Sequence, residues 1–122
     1  MGGTVLLIED EPNITEAIRF ILSRDGLTVE THADGATAMD AVRRRSPDII
    51  ILDVMLPNRS GFDILGELRA SDEYAFLPVL MLTARGQAAD RERAIALGAN
   101  KFMTKPFSNA DVLATVRDMV GE

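Results

Sequence analysis

Four short apolar runs in the 122-residue chain each stop at a polar residue of a different chemical type. Val5-Leu6-Leu7-Ile8 ends in Glu9-Asp10, Ile49-Ile50-Ile51-Leu52 in Asp53, Val79-Leu80-Met81-Leu82 in Thr83, and Phe102-Met103-Thr104 in Lys105-Pro106. If these runs are parallel strands of one sheet, their carboxyl ends share an edge, and open α/β sheets bind ligands at that edge. Three acids, a hydroxyl and an ammonium would then face one another. Clustered carboxylates make a hard-oxygen site suited to Mg²⁺. A carboxylate can also accept a phosphoryl group, and positive charge beside it can neutralise the transferring oxygens.

Taken singly, most of these residues have simpler readings. Glu9 and Asp10 fit ordinary strand-end acids, one of them helping to cap a helix that starts near Pro12. Thr83 fits a strand-end threonine and Lys105 a solvated lysine. Asp53 is harder to dismiss, because a carboxylate at the end of a buried apolar strand is costly unless paired or metal-bound. The Lys105-Pro106 bond can be cis, a turn that would aim the ammonium back over the sheet edge. Four such coincidences at the same ends of four strands point to a site.

The elements that would position these groups follow from periodicity. Ile14, Ala17, Ile18, Ile21 and Leu22 recur at helical spacing, as do Val112, Leu113, Val116, Met119 and Val120. Ala38, Met39 and Val42, then Ile64, Leu65 and Leu68, then Ala94, Ile95 and Leu97 supply three weaker stripes. The pattern predicts five βα units. Strands joined through helices run parallel, and those covered on both faces read as unbroken apolar runs. The first, third and fourth strands read so. The second, Leu27-Thr28-Val29-Glu30-Thr31, alternates, and the fifth is short and mixed, as sheet edges allow. The order 2-1-3-4-5 follows, a three-layer flavodoxin-like (βα)5 arrangement with its switch point between strands 1 and 3, flanked by Asp10 and Asp53.

Composition narrows the function classes. The length suits one domain, residues 1–122, and 47% hydrophobic residues can build its core. Absence of cysteine excludes disulfides and thiolate chemistry and suits a reducing compartment, so a cytoplasmic location is expected. No basic leader or long apolar segment suggests export or a membrane span. A net charge of −6 opposes direct nucleic-acid binding by this domain.

Ile8-Glu9-Asp10-Glu11, Leu52-Asp53-Val54-Met55-Leu56-Pro57 with Gly61, Leu82-Thr83-Ala84, Gly98-Ala99 and Lys105-Pro106-Phe107 stand in the order and at the spacing of a known family's signature blocks. Over essentially its whole length the sequence resembles bacterial response-regulator receiver domains of two-component systems. The resemblance implies that Asp53 accepts a phosphoryl group from a sensor histidine kinase or histidine phosphotransfer protein, the receiver itself catalysing transfer and later loss of the group. It implies Mg²⁺ held by Asp10, Asp53 and the Met55 backbone carbonyl, with Glu9 acting through water. Phosphoryl oxygens would be contacted by Lys105, the Thr83 hydroxyl and the Ala84 N–H. Thr83 and Phe102 would form a switch biasing the face of the fourth helix, fifth strand and fifth helix toward a downstream protein target or effector domain. Met55 and Arg85 would flank the path of the hydrolytic water.

Two positions depart from common family patterns. Phe102 lacks the hydroxyl of the tyrosine often found there, and Gly98-Ala99 is followed by Asn100-Lys101 instead of the acidic pair of many dimerising regulators. A monomer or a weak phosphorylation-dependent dimer is expected. Among rival readings, an aspartyl-phosphate hydrolase of the haloacid dehalogenase type wants a second acid where Met55 stands. A flavodoxin wants phosphate-binding donors where Glu9-Asp10-Glu11 stand. A pseudo-receiver that binds partners without being phosphorylated would usually lack an acid or the lysine.

Overall fold

The computed structural model describes residues 3–84 and 88–120. Strands β1 (Thr4–Ile8), β2 (Thr28–His32), β3 (Ile49–Asp53), β4 (Val79–Thr83) and β5 (Lys101–Thr104) pair in parallel in the order β2-β1-β3-β4-β5. Helices α1 (Pro12–Arg24), α2 (Ala38–Arg45), α3 (Gly61–Ala70), α4 (Ala88–Leu97) and α5 (Asn109–Met119) provide the connections. The flavodoxin-like order expected from the apolar runs is the one observed. The second strand starts one residue later than its sequence pattern suggests, because the Leu27 N–H turns back to the Leu22 carbonyl at the end of α1.

Strand alternation sorts the core into two halves. Leu6, Ile8, Ile50, Leu52, Val79 and Met81 face α2, α3 and α4, while Val5, Leu7, Ile49, Ile51, Leu80 and Leu82 face α1 and α5. The three inner strands are therefore apolar on both faces. Each buried leucine or isoleucine contributes roughly 1.5–3 kcal/mol, which anchors the strand ends that carry the polar residues.

The amphipathic stripes mostly point as their spacing predicts, with Ile18, Leu22, Val112 and Val116 fully buried. The fourth helix departs. Ala94 is its one fully buried position among the described residues, and Ile95, expected in the buried stripe, is 50% exposed. Its neighbours are α3 and the outer strand β5, so only a narrow line of α4 can reach the sheet.

Ends of elements are tied by polar bonds. Arg117 of α5 donates from Nε and Nη2 to the two carboxylate oxygens of Asp25 after α1, and the pair holds the Asp25 carboxyl below its usual range. Asn100 Oδ1 accepts from the Val79 N–H and from Arg69 Nη2, and Arg69 also reaches the Gly98 and Tyr74 carbonyls. Asn100, at one of the positions that depart from the acidic pair, thus locks the α4–β5 turn onto β4 and α3.

Two glycines of α3 should respond oppositely to alanine. A Cβ on Gly61 would sit 2.2 Å from the Asp53 carbonyl oxygen, whereas one on Gly66 would meet nothing within 4 Å. Gly61→Ala is expected to destabilise by about 1–3 kcal/mol through overpacking. Gly66→Ala should stabilise by about 0.5–1 kcal/mol through helix propensity. Urea midpoints at constant slope would check both signs.

Candidate functional site

Backbone ladders run one residue past the strands and fix the polar groups. The Glu9 N–H bonds the His32 carbonyl at 2.9 Å, the Val54 N–H bonds the Leu82 carbonyl at 2.9 Å, and the Lys105 N–H bonds the Thr83 carbonyl at 2.7 Å. Alternation then decides direction. Glu9 continues the Val5–Leu7 row, Asp53 the Ile49–Ile51 row and Lys105 the Met103 row, so all three turn toward the α1 and α5 side. Thr83 continues the Val79–Met81 row, and Phe102 packs into that same opposite half of the core.

The three residues on the first side meet. Lys105 Nζ lies 2.9 Å from Glu9 Oε1 and 3.4 Å from Asp53 Oδ2. The Glu9 and Asp53 residues are 2% and 1% exposed. Oxygens of Glu9, Asp10 and Asp53 lie within 4.8 Å of one another, and Asp10 is the exposed member. Glu9 Oε2 accepts from the Glu11 N–H at 3.1 Å, and Asp53 Oδ1 from the Met55 N–H at 3.3 Å. The side chain of Glu11, the N-cap residue of α1, makes no capping bond, and it is the Glu9 carboxylate that accepts the Glu11 N–H at the start of the helix. The Lys105-Pro106 bond is cis.

Burial, the largest influence, pushes the Glu9 carboxyl above its usual pKa. Lys105 and the Glu11 N–H pull it back only in part, and the Asp53 charge adds to the rise. For Lys105, burial works downward, but the Glu9 hydrogen bond and the two carboxylates outweigh it and hold the ammonium above its usual value. The ammonium thus takes up charge that the sequence alone assigns to a metal ion. Fully ionised, three carboxylates against one ammonium leave two negative charges, which a divalent cation matches. Glu9 Oε1 is buried against the Lys105 ammonium. An all-oxygen carboxylate set fits a hard ion such as Mg²⁺ better than a soft one.

Thr83 is 1% exposed on the strand beside Asp53, one step beyond Leu82, the register partner of Asp53. Phe102 is half-buried and sits two residues before Thr104, the register partner of Thr83. Ala84 and Lys105 line a cavity of about 470 Å³ whose apolar wall is Ile14, Ala17, Pro106 and Phe107. Met55 is 60% exposed, and Arg85 lies outside the described residues. Sequence reasoning missed the Lys105–Glu9 pair and the polar contacts of Asp34 and Asn58 described below. Strand parity was the available signal for the pair.

A family model described as response regulator receiver domain matches residues 5–117. TcrX of Mycobacterium tuberculosis is 41% identical over 117 residues, covering 96% of this chain and 49% of its own length. The phosphate regulon transcriptional regulatory protein PhoB of Rhizobium meliloti is 38% identical over 116 residues, 95% of this chain and 51% of its own. The chain therefore spans about half the length of the curated relatives it matches. The solved receiver domain of a sensor histidine kinase from Pseudomonas aeruginosa, with magnesium coordinated in its active site cleft, superposes with a TM-score of 0.89 at 31% identity over all of both chains.

The raised Glu9 pKa has a consequence for stability. Its native carboxyl holds a proton more tightly than the unfolded chain does. That stabilisation is complete below the ordinary value of 4.5 and is lost as pH rises through the raised native value. Metal-free Glu9→Gln should therefore gain stability relative to wild type progressively above pH 4.5. Denaturation of both proteins between pH 4 and 8 checks this, and a flat or shrinking difference would contradict it.

Proposed function

The chain belongs to the response regulator receiver domain family, and from that premise we propose that it is the phosphoacceptor of a two-component pathway, with Asp53 as the residue that takes the phosphoryl group. The observation carrying this reading is the fixed Asp53 carboxylate, buried beside Lys105 at the one sheet edge where two further acids converge. Residues 1–122 act as one receiver domain.

In the transfer, an Asp53 oxygen attacks the phosphorus of a phosphohistidine. The new O–P bond forms as the N–P bond breaks, and the histidine nitrogen leaves with the electron pair. Lys105 stands where its ammonium can offset charge on the equatorial oxygens. The Thr83 hydroxyl and the Ala84 N–H are the further oxygen contacts. Asp10, Asp53 and the Met55 carbonyl would hold Mg²⁺, with Glu9 assisting through water. Bound magnesium supplies the remaining positive charge at the phosphoryl oxygens. Loss of the group to water is expected at the same site.

The donor is a sensor histidine kinase or histidine phosphotransfer protein. Support comes from the apolar wall of Ile14, Ala17, Pro106 and Phe107 beside Lys105, which offers a docking surface at the reacting carboxylate. The output is the α4–β5–α5 face. Thr83 and Phe102 share the sheet side opposite the charged trio, and α4 is held to the sheet by little buried surface, as suits an element that shifts. A downstream protein or a linked effector domain would read it, with the receiver monomeric or weakly dimeric. Among the described residues no helix is long and apolar enough to cross a membrane, which accords with a cytoplasmic site of action.

Acetyl phosphate with Mg²⁺ should add one phosphoryl group, read as a mass shift, and Asp53→Asn should abolish it. Uptake by Asp53→Asn at the wild-type rate would refute the assignment. Failure of both proteins to react would instead favour the pseudo-receiver reading.

Mg²⁺ without phosphate should raise stability by about 2.7 kcal/mol at a hundredfold excess over Kd. Asp10→Ala should be more stable than wild type without metal and should lose the response. Superimposable melting curves with and without Mg²⁺ would argue against the metal site.

A further inference from the structure

The loop from Val54 to Ser60 carries the Met55 backbone past Asp53, and it is closed at its base by two backbone bonds. The Val54 N–H bonds the Leu82 carbonyl and the Gly61 N–H bonds the Val54 carbonyl, each at 2.9 Å. Its tip, Pro57 and Asn58, is exposed, so burial does not hold it. The tip is instead fastened to the loop after β2. The Gly35 N–H donates to the Pro57 carbonyl at 3.0 Å, and Asn58 Nδ2 donates to Asp34 Oδ1 at 2.9 Å. Asp34 is itself fixed, since the same oxygen accepts from the Ala36 N–H at 2.9 Å and caps the short 3-10 turn Gly35–Thr37.

Local chemistry at these positions is specific to the contact. A Cβ on Gly35 would lie 2.3 Å from the Arg59 carbonyl oxygen and 2.9 Å from that of Pro57, so the two loops approach as closely as backbones allow. Asn58 adopts φ 71°, a left-handed conformation that glycine also takes readily. The Asn58 amide and the Ala36 N–H hold the Asp34 carboxyl below its usual range.

We propose that Asp34 and Asn58 are positioning residues for the divalent-cation site, clasping the loop that presents the Met55 carbonyl although neither reaches the cluster of Glu9, Asp10 and Asp53. The inference rests on the metal reading above. Mg²⁺ demands near-ideal octahedral geometry at short distances, whereas Ca²⁺ accepts longer and irregular ones. A loop pinned at its tip therefore favours Mg²⁺, and an unpinned loop costs Mg²⁺ more than Ca²⁺.

Asn58→Gly keeps the left-handed backbone while removing the amide, and calorimetric titration of the whole chain with MgCl₂ and with CaCl₂ reads the effect. Mg²⁺ affinity should fall about tenfold, the scale of outer-shell substitutions at metal sites, with Ca²⁺ affinity changing less. Asp34→Ala, which also loses the Ala36 cap, should weaken Mg²⁺ at least as much, and the double variant should be no worse than Asp34→Ala alone, because the Asp34–Asn58 bond is already gone there. Asp34→Asn retains an acceptor oxygen and should restore most of the affinity. Wild-type affinity in both Asn58→Gly and Asp34→Ala would overturn the clasp. So would equal losses for Mg²⁺ and Ca²⁺ that track a drop in metal-free stability. A wild type that binds no Mg²⁺ would instead overturn the metal reading itself, and the clasp with it.

Discussion

Two carboxylates, Glu9 and Asp53, are buried at the ends of apolar strands, and the Lys105 ammonium within 2.9 Å of one and 3.4 Å of the other makes that burial tolerable. Burying an unpaired charge is costly, and removing one partner of a buried pair leaves the other uncompensated. The rest of the site depends on this trio. It leaves excess negative charge facing Asp10, the charge that a hard cation would offset. It also keeps an acceptor oxygen of Asp53 next to positive charge, the arrangement a phosphoryl group would meet.

The fold exists in large part to hold those strand ends in register. Strands β1, β3 and β4 are buried on both faces, so a slip of one residue would exchange their two half-cores and carry every polar terminus to the wrong side. The outer elements are held differently. Strand β2 has no fully buried residue, α4 buries little, and polar clasps such as Arg117–Asp25 and Arg69–Asn100 fasten what packing alone does not. A rigid centre with lightly held outer elements is the distribution expected where a local charge change must be felt at a distance.

Alternation divides the labour at the edge. Glu9, Asp53 and Lys105 turn to the α1 and α5 side, while Thr83 and Phe102 belong to the side of α2, α3 and α4. Charge handling and any packing response thus lie on opposite faces of one sheet, with Asp53 and Thr83 on adjacent strands as the link. The two strand ends lie close because neighbouring strands run about 5 Å apart.

The sequence by itself determined the strand order, the identity of the inner strands and the membership of the polar edge. Each of these follows from local pattern: unbroken apolar runs, helical periodicity between them, and the residue type at each stop. Tertiary structure decided what each charge does. That Lys105 pairs with Glu9, that Asp10 alone of the three acids is exposed, and that Ile95 faces solvent depend on side-chain direction and on which neighbours an element finds. The contact of Asp34 with Asn58 joins loops 24 residues apart, between polar residues whose local sequence reads simply as turns. Long-range pairing of that kind leaves no periodic trace, because its geometry is set by how two loops happen to meet above a sheet that other residues built.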